Sequence, residues 1–546
     1  MADLVAALKR LLRQRDIWLL CLVPVLVYGN TLFNGFVYDD HSEVVANEIY
    51  RNFDLQKIFL TLSNGLEYLP LRDVTYAVDY AVWRGHPWGF HASNLIYFLI
   101  NLMAAYYCTR ELARFLFREE GPAPVRYLPL VTTLLFAVHP YHSEPVSAIF
   151  TRNVLVSGMF FFGAVYAFLA ALRKAERPSL RDIALILVLY ICAMLSKATT
   201  ITLPLLFLAI AAVRYRDVPK GYITAIVFPS CAVMAVAVVF FKKVAEHVHF
   251  IATQGGDGVA ERVAVAIQIP FYYLAKLLVP AGFSIVYDVP FATLLTDWKV
   301  GACAVLLGAL FAGAFLLRKK NPALLFGAAW YIITLVPVMN LLKTNIVVAD
   351  RYFYLPLYGL VFIVVSLVLR SGRYAAHGLQ ALVLAVLALS IVTVRQNMVF
   401  RNDITLWEHA VAVSPADIKS LNNLGWSYYY GGAIDKSFAV FARLRHVKPD
   451  DINLDLVMGF QRYQQKDWLG AISSLERARE IQKDSLDVNY LIAMSYKNLG
   501  DYPHAIDNFE RLLQSKEQDY SGYRQNAQEQ IALLRSLISP PPAASN

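Results

Sequence analysis

The sequence has 546 residues, of which 57% are hydrophobic and 17% charged, and its net charge is +9. A soluble domain is nearer to about 45–50% apolar and about 25% charged, so this composition excludes an ordinary soluble protein. The basic residues lie in short loops between apolar stretches, which argues against nucleic-acid binding. The five cysteines lie in apolar stretches without a CxxC pair, and they predict neither a disulfide framework nor a metal site.

Apolar stretches close to the roughly 20 residues that a bilayer requires fill the chain before about residue 397. The first runs from Ile17 to about Phe33, and the basic residues before it place the N-terminus in the cytoplasm. It lacks a small-residue cleavage site, so we interpret it as an uncleaved span. The distribution of Lys and Arg predicts eleven crossings, with segment 263–279 as an interfacial or re-entrant helix. The external loop 34–91 is long enough for one or two short helices on the membrane surface.

The chain after residue 397 is polar and contains a repeat of 34 residues. Small residues recur at Gly425, Gly459 and Ala493, where they let paired helices pack closely. This period is typical of tetratricopeptide (TPR) repeats. The predicted fold is therefore all-α, with a polytopic membrane domain over 1–397 and a TPR solenoid of about three and a half repeats over 398–538. The Pro-rich segment 539–546 is predicted to be disordered.

With this topology, the ionisable groups gather on the outer face of the membrane. They are Asp39, Asp40, Glu43, Arg72, His86, His91, His139, His142, Glu144, Arg152, Lys197, Asp350 and Arg351. A carboxylate there could take a proton from an acceptor hydroxyl, while Arg or Lys could stabilise a departing phosphate. This combination is the chemistry of sugar transfer from a lipid-phosphate donor.

Each of these features also has a purely structural interpretation. Asp39 and Asp40 could form a solvated turn or a helix cap after the first span. Arg152 could serve only as an ion-pair partner of Glu144 or Asp40. Lys and Arg side chains at the ends of spans can also reach the lipid headgroups without binding a substrate.

Motifs that carry a family resemblance occur in one order along the membrane domain. They are Gly35-Phe36-Val37-Tyr38-Asp39-Asp40-His41, Tyr68-Leu69-Pro70-Leu71-Arg72, Gly89-Phe90-His91-Ala92-Ser93-Asn94, the His139–Glu144 segment through Arg152-Asn153, Ser196-Lys197, and Ala349-Asp350-Arg351-Tyr352-Phe353-Tyr354-Leu355-Pro356. Together with the 34-residue repeat, they resemble the transmembrane-and-TPR-containing (TMTC-type) glycosyltransferases. These belong to the GT-C superfamily and are related to protein O-mannosyltransferases.

The resemblance implies that Asp39 or Asp40 is the catalytic acidic residue and that the donor is a polyprenyl- or dolichyl-phosphate sugar. Arg351, Lys197 and Arg152 are the candidates for binding the donor phosphate. The candidates for shaping the pocket or binding the acceptor are His91, His139, His142, Glu144, Arg72 and Tyr352. The chain departs from the family in having Ala198 where a Glu commonly follows the Ser-Lys pair, and in its short repeat array. The short array favours a bacterial member.

The expected partners are the lipid-linked sugar, membrane lipids and a protein or peptide acceptor that docks on the repeats. The expected location is the bacterial inner membrane with the site on the periplasmic side, or the endoplasmic reticulum with a lumenal site. No cofactor is predicted. His139 and His142 lie one helical turn apart near Glu144, so a divalent metal is a possible but not a predicted ligand.

Two other functions compete with glycosyl transfer. The protein could be a non-enzymatic scaffold whose repeats bind a secretion, pilus or polysaccharide-export partner, although such an anchor needs only one span. It could also be a transporter, which would favour charges at the bilayer midplane and inverted repeats. The charges here lie at span ends, and no duplication of the membrane half is evident.

Overall fold

The computed structural model describes residues 2–63, 67–117, 126–173, 177–214, 217–247, 258–341, 346–517, 519 and 521–538. In these ranges the regular structure is helical, and the single β-bridge joins Ser63 to Glu67. The predicted all-α fold class is confirmed. The chain divides into two compact units, Met1–Leu406 and Trp407–Asn546.

The first unit is built mainly from helices of ten residues or more. These are Ala2–Tyr28, Pro70–Trp83, Pro87–Phe117, Leu128–Ala137, Arg152–Leu172, Leu180–Ser196, Leu203–Val213, Phe228–His247, Val259–Leu278, Trp298–Leu317, Pro322–Leu335, Tyr354–Leu369 and Ala375–Asn397. Six helical stretches in the described ranges are long and apolar enough to cross a membrane. They are Arg15–Phe33, Ile149–Leu172, Lys220–Val244, Trp298–Leu317, Asp350–Leu369 and Gly372–Arg401.

The remaining predicted crossings fall on shorter or less apolar helices, so the number eleven stays a prediction. Segment 263–279 forms most of the helix Val259–Leu278, which is not among the six stretches. One side of this helix is buried, and the side chain of Gln268 donates a hydrogen bond to the carbonyl of Ala292 at 2.8 Å. Whether this helix crosses the membrane or lies at its surface stays a prediction.

In the described part of loop 34–91, the helices Glu48–Arg51, Leu55–Leu60 and Pro70–Trp83 pack against the rest of the first unit. Tyr76 anchors the third, because its hydroxyl donates to the carbonyl of Ile149 at 2.7 Å. Because Tyr76 is fully buried, the bond also satisfies a polar group that would otherwise be costly. The loop is therefore fixed beside the start of the stretch Ile149–Leu172.

Two further helices meet at glycines. A Cβ atom added to Gly327 would lie 2.7 Å from the carbonyl oxygen of Gly359, closer than real Cβ atoms come. The helices Pro322–Leu335 and Tyr354–Leu369 therefore pack in direct backbone contact. The short 3₁₀ turn Asp350–Phe353 directly precedes the second of these helices.

The second unit consists of successive helices that pack in pairs. They are Ile418–Tyr430, Ile434–Val447, Asn453–Gln464, Trp468–Ile481, Leu486–Leu499, Tyr502–Gln514 and Tyr523–Ile538, and the helix Asp403–Val413 leads into them. The 34-residue interval has a direct structural cause. A Cβ at Gly425 would lie 2.5 Å from the ring of Phe441, and one at Gly459 would lie 2.5 Å from the side chain of Leu475.

The positions of the small and large residues in the repeat thus correspond to inter-helix contacts in the structure. The TPR assignment and the boundaries 398–538 stay predictions. Segment 539–546 lies outside the described residues.

Candidate active site

A polar cavity of about 380 Å³ lies in the first unit and brings together residues from distant parts of its sequence. Its lining residues are Asp39, Glu43, Ser63, Glu67, Leu69, Arg72, Phe150, Thr151, Asn153, Lys197, Ala198, Thr199, Pro337, Val338, Ile346, Arg351 and Tyr352. Among the predicted site residues, the cavity collects Asp39, Arg72, Lys197, Arg351 and Tyr352. It therefore combines carboxylates with cationic side chains in one cavity.

Asp39 lies in a tight turn directly after the first apolar helix. The preceding residue, Tyr38, has a φ of +49°, a left-handed conformation that is uncommon for a bulky residue. Its ring packs edge-on against Phe150 at a centroid distance of 5.7 Å. Such conformations persist only where the surroundings enforce them, and they cluster at functional sites.

Asp40 faces the interior and not the cavity. Its side chain is fully buried, and its two carboxylate oxygens accept hydrogen bonds from the backbone amides of Val37 at 3.0 Å and Phe150 at 2.6 Å. Burial raises the pKa of Asp40 to about 7, against the lowering effect of these two amides. The sequence left open which aspartate acts as the base, and of the two only Asp39 lines the cavity.

Arg351 comes from a distant part of the sequence and lies in the turn Asp350–Phe353. Its guanidinium forms an ion pair with Glu144, and its backbone amide donates to the same carboxylate at 2.9 Å. The Arg351 side chain retains 15% exposure, whereas that of Glu144 is 1% exposed. The two contacts with Glu144 therefore position Arg351, whose side chain also lines the cavity.

Lys197 completes the cationic part of the lining. A capping box between Ser179 and Asp182 begins the helix Leu180–Ser196, and the extended backbone of Lys197 ends it. The Lys197 ammonium lies 6.0 Å from the centroid of the Tyr352 ring. Desolvation, with the nearby charge of Arg351, lowers the pKa of Lys197 to about 7.

No carboxylate of the described residues lies within ion-pair distance of Lys197. An anionic ligand in the cavity would therefore find this cation available.

Glu43 and Glu67 face the same cavity, and neither had a role in the sequence-based site. Arg72 is almost fully buried, and it reaches Glu43 at 3.3 Å and Asp73 at 2.9 Å. Burial raises the pKa of Glu43 to about 7, although Arg72 opposes the shift. The sequence did contain a signal for Glu43. It lies four residues after Asp39, and residues one helical turn apart lie on the same face of a helix.

The structure does not bring Arg152 into the cavity lining. Its guanidinium is fully buried and bonds to Asp79 at 2.6 Å, Asn94 at 2.6 Å and the carbonyl of Phe90 at 3.0 Å. Protein acceptors thus occupy the groups that were expected to bind a donor phosphate. The ion-pair partner of Arg152 in the structure is Asp79, not Glu144 or Asp40, and its role in binding the donor phosphate stays a prediction.

The three histidines of the predicted site are also buried outside the lining. His91 interacts with the carbonyl of Gly35 at 3.2 Å, and burial lowers the pKa of His91 to about 4. His139 accepts a hydrogen bond from the amide of Tyr141 at 3.3 Å and stacks on its ring. His142 packs against the ring of Phe136 at 4.3 Å. These contacts hold the three histidines within the interior of the first unit.

The metal alternative draws no support from these positions. The described residues contain no group of three or more His, Cys, Asp or Glu side chains that could hold a metal ion. Glu144 is directed to Arg351, while the imidazoles of His139 and His142 have aromatic neighbours.

An apolar groove of about 420 Å³ begins close to the polar cavity. It is lined by Ile191, Met194, Leu195, Ala232, Val233, Val236, Ala237, Phe240 and Phe241. Met194 and Leu195 precede Lys197 on the same helix end, and Phe240 contacts the ring of Tyr68 at 5.4 Å. Tyr68 in turn lies between Glu67 and Leu69 of the cavity lining. The cavity and the groove therefore share two boundary segments.

An apolar multi-helix unit that holds a polar cavity defines an integral membrane protein with a candidate ligand site.

No protein-family model matches the chain. It is 23% identical to the protein O-mannosyl-transferase TMTC3 of Mus musculus over 88% of this chain and 55% of the relative. It is 31% identical to TMTC1 of Homo sapiens over 32% of this chain and 21% of the relative. It is 21% identical to F38B6.6 of Caenorhabditis elegans over 75% of this chain and 59% of the relative.

These relatives all bear the name protein O-mannosyl-transferase. The match covers most of this chain but only about half the length of TMTC3. The TMTC-type resemblance predicted from the ordered motifs is confirmed by these matches.

Proposed function

We propose that the protein transfers a sugar from a polyprenyl-phosphate donor to a hydroxyl group of a protein or peptide on the extracytoplasmic face. The observation that carries the proposal is the cavity in which Asp39 shares a lining with Arg351 and Lys197. A base and a pair of cations in one cavity match the two charge changes of glycosyl transfer. The names of the relatives favour mannose and a protein acceptor.

In the proposed reaction, the acceptor oxygen attacks the anomeric carbon of the donor as Asp39 takes the hydroxyl proton. The bond between this carbon and the phosphate oxygen breaks, and its electron pair stays on the phosphate. Arg351 and Lys197 stabilise the charge that develops there, in a site where burial strengthens such interactions. A single displacement of this kind inverts the configuration at the anomeric carbon.

The apolar groove supports a lipid-linked donor over a soluble nucleotide sugar. Its lining offers a place for an isoprenoid chain, whose burial is favourable in proportion to its apolar area. Met194 and Leu195 at the end of the groove are followed closely by Lys197. A chain in the groove would thus have its phosphate near the two cations.

The repeat unit supports a polypeptide acceptor. Stacked helix pairs of TPR type form extended surfaces suited to binding peptides. We assign the repeat segment, predicted over 398–538, the role of recruiting the acceptor, while the chemical step belongs to the cavity of the first unit.

The experiment uses the full chain in nanodiscs with a panel of radiolabelled polyprenyl-phosphate sugars and native membrane extract as the source of acceptors. We expect release of polyprenyl phosphate from one donor and incorporation of label into protein, with and without chelator. The Glu48→Gln variant is the control, because Glu48 is an exposed carboxylate of the same external loop outside the cavity lining. Folded protein that turns over no donor would overturn the proposal.

A further inference from the structure

Asp403 contacts the turn that carries Asp39, although 364 residues separate them in sequence. It is the first residue of the helix Asp403–Val413, directly after the last apolar stretch. One carboxylate oxygen of Asp403 accepts from the backbone amide of Tyr38 at 2.7 Å. The other lies 2.8 Å from Nε2 of His41. Asp403 therefore contacts the residue before Asp39 and the residue two after it.

The bond to Tyr38 satisfies a residue whose backbone conformation is unfavourable. A left-handed φ at a bulky residue is unfavourable and requires support from its surroundings. The Asp403 carboxylate supplies a charge-assisted hydrogen bond at this peptide, a stronger type than a neutral one. Its ion pair with His41 raises the pKa of His41, the largest cause being the hydrogen bond between them.

Residues shortly before Asp403 make further contacts with the end of the first apolar stretch and the start of the same loop. The amide of Gly35 donates to the carbonyl of Arg401 at 3.0 Å. The side chain of Asn397 donates to the carbonyl of Val27 at 2.9 Å and to Asn30 at 3.1 Å. The ends of the first and last apolar stretches are thus joined by hydrogen bonds. Asp403 is the charged group of this junction that contacts the Asp39 turn directly.

We propose that Asp403 is a positioning residue of the transfer site, which holds the Tyr38–His41 turn so that Asp39 faces the cavity. This role rests on the proposed function. Asp403 itself is outside the cavity lining and therefore acts on the reaction only through the turn. Because it begins a helix, any displacement of that helix would move the carboxylate and with it the support of Asp39.

The experiment compares three variants of the full chain in nanodiscs. Asp403→Ala removes both contacts, Asp403→Asn keeps a neutral acceptor for the Tyr38 amide, and His41→Gln removes only the ion pair. Asp417→Asn is the matched control, since Asp417 also begins a helix and accepts from a backbone amide, that of Ser420 at 2.6 Å. The measurements are kcat, the KM for the donor, and hydrogen exchange of the amides in 34–45.

We expect Asp403→Ala to lower kcat by about tenfold or more, because small displacements of a catalytic group are costly, while the KM for the donor changes less than about twofold. Exchange should accelerate in 34–45 and stay unchanged in the membrane helices. Asp403→Asn should recover part of kcat, His41→Gln should have the smaller effect, and Asp417→Asn should match the wild type.

Unchanged kcat and unchanged exchange in Asp403→Ala would overturn the inference, and so would accelerated exchange throughout the first unit. If the wild type transfers no sugar, the proposed function fails, but exchange in 34–45 still decides whether Asp403 holds the turn. The two failures are therefore distinguishable.

Discussion

Arg152 and Arg351 each have a carboxylate partner in the first unit, but they differ in what else surrounds them. Arg152 is 0% exposed, pairs with Asp79 and has further acceptors in Asn94 and Phe90. Arg351 is 15% exposed, pairs with Glu144 and borders the polar cavity beside Lys197. The first is saturated by the protein, whereas the second retains a face for a ligand.

The same contrast separates Asp39 from Asp40. Asp40 uses both carboxylate oxygens on backbone amides, while Asp39 lines the cavity. In both pairs, one member stabilises the fold and its counterpart is placed for chemistry. Residue type and motif membership do not distinguish the two members of each pair. The hydrogen-bond donors and acceptors around each side chain do.

The largest expected effect comes from the aspartates. Asp39→Asn should lower kcat by about 10²–10⁴-fold because it removes the proposed general base, and it should change the melting temperature less than Asp40→Asn does because Asp39 lines the cavity. Asp40→Asn replaces one acceptor oxygen by an amide donor and should cost about 1–3 kcal/mol of unfolding free energy. Transfer assays and thermal unfolding in detergent measure both quantities. Equal loss of activity and stability in the two variants would contradict the division of roles.

The next largest effects come from the two arginines. Substitution of Arg152 should lower stability, and substitution of Arg351 should weaken donor binding. Arg152→Met leaves Asp79 buried and unpaired, which should cost about 3–5 kcal/mol of unfolding free energy. Arg351→Met leaves Glu144 with the backbone amide of residue 351, so the loss of stability should be smaller. Its KM for the donor should rise about tenfold or more through loss of a charge-assisted contact.

The check on this second prediction is a thermal unfolding curve beside a donor titration for each variant. Weakened donor binding in Arg152→Met with normal stability would reverse the comparison.

The smallest effect is the pH dependence of donor capture. The pKa of Lys197 near 7 means that the ammonium is charged below pH 7 and loses its proton as the pH rises. Its contribution to kcat/KM should therefore fall about tenfold between about pH 6 and about pH 8. Lys197→Arg stays charged throughout and should flatten this decline relative to the wild type. Identical pH profiles for the two proteins would exclude Lys197 as the titrating cation.

Patterns local in sequence could be predicted well. The 34-residue period depends on contacts such as Gly425 with Phe441, which lie on adjacent helices, and the apolar stretches reveal the membrane unit directly. The gathering of Asp39, Lys197 and Arg351 followed from topology, because basic loops fix the face on which each loop lies.

Contacts between distant residues could not be read from the sequence. Asp79 lies 73 residues before Arg152, and it is a helix residue without a distinguishing motif. The orientation of Asp40 depends on the amide of Phe150, and backbone amides leave no signal in residue type. The contact of Asp403 with Tyr38 likewise needs the folded chain. The roles of buried polar groups therefore emerged only from their partners.

The most direct test of the account is equilibrium binding of a radiolabelled donor to Asp39→Asn and Arg351→Met, measured beside turnover. Asp39→Asn should bind the donor with the affinity of the wild type but should not release polyprenyl phosphate. Arg351→Met should bind the donor at least about tenfold more weakly. Wild-type binding and wild-type turnover in both variants would contradict the claim that this cavity is the transfer site.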